Sequence, residues 1–132
     1  MIHQFDPVIY PRKVRITYDA TCDELNEFFP EGDGSDEYFR ELPKHTDACV
    51  YHVRSKDKLG GLLIRFKCKK NMTSGIISHE ADHCANGIYA YIGAKVDVMN
   101  DETHAYLVEW IVNCCEIVKN KKNEQGTTVS KQ

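Results

Sequence analysis

The chain has 132 residues, 42% hydrophobic and 28% charged, with a formal net charge of -3. That length supports one hydrophobic core rather than two lobes, and the faintly acidic balance leaves no electrostatic footprint for nucleic acid. No stretch approaches the roughly eighteen apolar residues of a membrane span, and the opening from Met1 to Pro11, with His3, Asp6 and two prolines, is unlike a secretory leader. A cytoplasmic protein with no membrane and no nucleic-acid partner is the expectation.

In chain order, Val14, Ile16 and Tyr18 alternate with Arg15 and Thr17, a strand pattern with one apolar face. Thr21-Cys22-Asp23-Glu24 reads as a capping box that opens a short helix through Phe29, ended by Pro30 and the Gly/Asp-rich run 31–36. Residues 36–42 suggest a further helical turn. Ala48 to Val53 and Leu62 to Cys68 are two β-rich runs joined by a polar turn ending in Gly60-Gly61, the pattern of a hairpin. Lys67, Lys69 and Lys70 favour an exposed edge for the second run, since edge strands often carry lysines against aggregation. An exposed edge can take up an extended peptide by main-chain hydrogen bonds; the plain alternative is an interior strand.

Between Asn71 and Ile92, residues Ile77, Ala81, Cys84, Ala85, Ile88 and Ile92 recur at helical period on one face. Roughly opposite lies His79-Glu80-Ala81-Asp82-His83, an HExxH motif. Two imidazoles at i and i+4 on a helix stand one turn apart and can reach one Zn²⁺, while Glu80 points about 100° away, where a carboxylate could act on a metal-bound water. The bland reading is an amphipathic helix whose solvent face carries two His and one Glu.

The next helical pattern, from Asp101 to Val118, is apolar nearly all round and is expected near the centre of the fold. Its polar stripe is Glu102, Glu109, Asn113 and Glu116. Glu102 stands nineteen residues after His83 and is either a first-turn ligand or the start of a solvated face, with Glu109 as its rival two turns further on.

With these residues in place, the chain resembles the zincin metallopeptidases of the gluzincin type, and among them the small single-domain minigluzincins. Their pattern is HExxH followed, after a spacer of about eighteen to twenty residues, by a ligating Glu. The spacer here, Cys84 to Asp101, has eighteen. The resemblance covers about residues 48–112 and implies an α+β, zincin-like fold: a small antiparallel or mixed sheet, an HExxH active-site helix and a following buried helix. It implies one Zn²⁺ per chain held by His79, His83 and Glu102, with Glu80 as general base for hydrolysis of a peptide or protein substrate. Four residues after the ligating Glu the family often carries an Asp that supports the first His. That position is Tyr106 here, which leaves Asp97, Asp101 or a backbone carbonyl to orient the ring. The metzincin pattern is excluded, because its third His would fall at Tyr89.

Tyr106, His104 and Tyr89 are candidate partners for the oxyanion of an attacked carbonyl, without a sequence basis for choosing among them. His3, His45 and His52 carry no spacing signal. The six cysteines are scattered, with no CxxC pair, and are expected as reduced thiols; Cys84, one residue past His83, should face the core. The domain is expected over residues 1–118, with 119–132 a mobile polar tail. Two other roles fit the same residues. One is a latent or non-catalytic zinc-binding module with a regulatory or protein-interaction role; the other is an unrelated α+β binding domain with an accidental motif.

Overall fold

The computed structural model describes residues 1–32 and 38–122. Four strands, β1 (His3–Phe5), β2 (Lys13–Thr17), β3 (Ala48–Arg54) and β4 (Gly60–Phe66), form a mixed sheet in the order β1-β2-β4-β3. The β2/β4 pair is parallel and the other two pairs are antiparallel. Helix α1 (Cys22–Phe28) covers one face, and α2 (Ser74–Ile92) and α3 (Glu102–Asn120) cover the other. The fold is therefore a small α+β domain with a mixed sheet.

Each face has its own core. Val14, Ile16, Leu62, Ile64 and Phe66 meet Ile77, Ala81, Cys84, Ala85 and Ile88 of α2 and Leu107, Ile111, Cys115 and Val118 of α3. On the reverse, Leu63 and Val53 pack with Leu25, Phe29 and Phe39. The alternation in β2 predicts one wet face, yet Arg15 and Thr17 are buried because α1 and the N-terminus close over them. Thr17 Oγ1 donates to the Met1 carbonyl at 2.8 Å and Arg15 Nε to Gln4 Oε1 at 3.0 Å, while the buried Arg15 NH1 has no hydrogen-bond partner among the described residues.

Local signals place the helix ends. Thr21 caps α1, its hydroxyl accepting from Glu24 N–H at 3.1 Å, and Thr73 caps α2 by accepting from Ile76 N–H at 3.3 Å. Gly93, at φ 70°, ends α2 in the left-handed conformation, and Ala94 N–H returns to the Tyr89 carbonyl at 2.9 Å.

Four expectations are corrected. The hairpin forms, but Gly60 and Gly61 begin β4 rather than closing the turn, which instead uses Lys58 at φ 64°. Strand β4 lies between β2 and β3, so the exposed edge beside α2 is β3. No helix forms over 38–42, because the Asn26 side chain holds Phe39 through both its backbone N–H and its carbonyl, at 2.7 and 3.2 Å; the start of the expected turn lies outside the described residues. Helix α3 is one-sided rather than central, with Tyr106 and Ile117 exposed, and Ile92 at the end of α2 is 44% exposed. Helix α3 also extends to Asn120, two residues into the expected tail, whose residues 123–132 lie outside those described. No helix among the described residues is long and apolar enough to cross a membrane.

Candidate metal-binding face and cleft

The α2 helix carries its apolar residues inward, which leaves His79 and His83 on the exposed flank, one turn apart. Their Nε2 atoms converge to 3.1 Å, with ring centroids 4.7 Å apart and planes at 75°. Two nitrogens bound tetrahedrally to zinc at 2.0–2.1 Å would stand roughly 3.3 Å apart, so the pair is close to the bite of one ion. Glu80 turns inward instead and is only 5% exposed. Burial raises its carboxyl above the ordinary glutamate range, and the neighbouring His79 and His83 pull in the opposite direction.

Glu80 and His79 line a cleft of about 440 Å³ with Gly75, Ile76 and the segment His45-Thr46-Asp47-Ala48 that leads into β3. Asp47 Oδ1 accepts from Asn71 Nδ2 at 3.0 Å, which ties this segment to the turn before α2. His45 is the member that sequence reading misses. Thirty-four residues separate it from His79, and only the sheet brings them to one cleft.

Glu102 sits exposed in the first turn of α3. Among the described residues, no group of three His, Cys, Asp or Glu side chains is close enough to hold a metal ion. The structure thus brings His79, His83 and Glu80 together and does not bring Glu102 or Glu109 into a three-ligand group with them. The two imidazoles could bind one metal ion, and among the described residues no third protein ligand is assembled beside them.

The oxyanion candidates are placed elsewhere on the helices. His104 is buried and its Nε2 lies 2.7 Å from Asn86 Oδ1, while its ring meets Tyr89 edge-on at 5.1 Å. Tyr106 is 64% exposed. None of the three lines the cleft shared by His79 and Glu80. Asp97 accepts from Met99 N–H at 3.0 Å, and Asp101 precedes the first turn of α3. No disulfide links the six cysteines; Cys84, Cys114 and Cys115 are buried, and burial pushes the last two thiols up to about 12.

A second cleft, of about 510 Å³, lies at the far end of β3 and is lined by Arg12, Arg54, Lys58, His52, Tyr91 and Glu31 among others. A third, about 610 Å³, opens on the α1 side around Arg15 and Phe28 and mixes Lys56 with Glu24, Glu27 and Asp57. Comparisons with protein-family models, curated proteins and solved structures find no match.

Proposed function

We propose that this chain is a zinc-dependent metallopeptidase of the HExxH class. The observation that carries the reading is the convergence of His79 and His83 Nε2 at 3.1 Å beside a cleft into which the largely buried Glu80 also reaches. The order of elements supports it, because the edge strand β3 starts at that cleft and could pair with an extended substrate. When bound, zinc would supply Lewis-acid polarisation of a carbonyl and a water acidified toward neutrality.

The chain's own residues would then divide the work. His79 and His83 would hold the metal with Glu102 as the expected third ligand, although the three do not form a metal-holding group among the described residues. Glu80 takes the proton of the attacking water and hands it to the leaving amine. His45 lines the same cleft and is placed to contact a substrate there.

The second reading is a latent or non-catalytic zinc-binding module that contacts other proteins, favoured by the lack of a three-ligand group among the described residues. Elemental analysis and a peptide-library hydrolysis assay on wild type, Glu80→Gln and Glu102→Gln separate the two. The peptidase reading expects one zinc per chain, kept in Glu80→Gln with turnover down by at least about a hundredfold, and weakened in Glu102→Gln. Zinc binding without hydrolysis selects the module. No zinc uptake removes both.

A further inference from the structure

The edge strand and the motif helix run side by side. The first turn of α2 shares the Glu80 cleft with Ala48, at the start of β3. Further along, a Cβ at Gly87 would lie 3.3 Å from His52 Cε1, and the Tyr91 ring is 5.3 Å from that of His52. The two ends of β3 thus belong to two clefts, Ala48 to that of Glu80 and Arg54 to that of Arg12 and Lys58. Seven strand residues at about 3.3 Å each make the path roughly 20 Å long. Among the described residues no strand pairs with the outer side of β3.

The far cleft is cationic. Among the described residues that line it, three basic side chains face one carboxylate, Glu31, whose ion pair with Arg54 is 3.5 Å long and half exposed on both sides, hence weak. The Arg12 guanidinium lies 4.5 Å from the Tyr91 ring centroid, which fixes its plane. Its NH1 donates to the Pro11 carbonyl at 3.1 Å, and its buried Nε has no hydrogen-bond partner among the described residues. A stacked guanidinium with donors to spare, beside two more cations, matches a carboxylate better than any neutral group.

We propose that the outer edge of β3 and the cleft at its end bind an extended acidic peptide, its main chain paired along β3 and an Asp or Glu side chain held by Arg12, Arg54 and Lys58. The acid would lie about five to six residues from the bond at Glu80. What happens to the bound peptide rests on the peptidase reading; the binding does not.

Fluorescence anisotropy on the metal-free full chain tests it, using labelled extended peptides that differ only in one terminal-third residue: Glu, Gln or Lys. The Glu peptide is expected to bind at least about fivefold tighter than the Gln peptide, with Lys weakest and the preference shrinking at high salt. Arg12→Gln, and separately the exposed pair Arg54→Gln/Lys58→Gln, should bring the Glu peptide down to the Gln value while leaving the Gln peptide unchanged. A backbone N-methylated Glu peptide should lose binding. Equal affinity for Glu and Gln peptides in the wild type, a preference that survives in both folded variants, or undiminished binding of the methylated peptide would each overturn the proposal. Acidic peptide bound but left uncut after zinc loading would fail the peptidase reading alone.

Discussion

His79 Nε2 and His83 Nε2 stand 3.1 Å apart on the exposed flank of α2. Without metal, that distance is one N–H···N hydrogen bond, with one ring donating and the other accepting. If zinc binds, both Nε2 atoms would offer a lone pair to it. His79→Ala and His83→Ala are each expected to lower zinc affinity by at least about tenfold, by analogy with the loss of any protein ligand. Neither ring fills the core, so the melting temperature should stay within about 2 °C of wild type, as for surface substitutions. Zinc titration beside thermal unfolding reads both, and unchanged affinity in both variants would place any metal elsewhere.

Gly61 and Gly75 lie at opposite ends of the demand for glycine. A Cβ at Gly61 would come within 2.6 Å of the Lys13 carbonyl, across the parallel β2/β4 pairing, whereas one at Gly75 meets nothing within 4 Å. Gly61→Ala should cost about 1–3 kcal/mol by forcing strands apart. Gly75→Ala should gain up to about 1 kcal/mol through helix propensity. Urea unfolding midpoints measure the pair; a neutral Gly61→Ala would contradict the β2/β4 register.

The thiols of Cys114 and Cys115 are pushed to about 12 by burial, and that of Cys84 is pushed up as well. Above the ordinary thiol value the unfolded chain loses protons that the folded chain keeps. Stability from these groups is thus complete below about pH 8.5 and falls as pH rises toward 12, by up to about 1.4 kcal/mol per pH unit for each thiol. Denaturant unfolding between about pH 8 and pH 10.5 should show this decline, and Cys115→Val, which removes one of the three thiols, should make it shallower. A flat profile in the wild type would mean these thiols are solvated.

The sequence by itself determined what depends on near neighbours along the chain. The Thr21 cap and the pairing of His79 with His83 follow from spacings of three and four residues, where helix geometry leaves one outcome. The inward turn of Cys84 follows from the same apolar stripe. Tertiary structure alone decided which strand became the edge. Both hairpin strands are apolar enough to be interior, and β4 takes the centre because β2 pairs with it, closely enough at Lys13 and Gly61 to exclude a side chain. The burial of Arg15 and the meeting of His45 with His79 were likewise settled by packing between distant segments. A side-chain period records which way a residue faces, but carries no information about which remote surface will cover it.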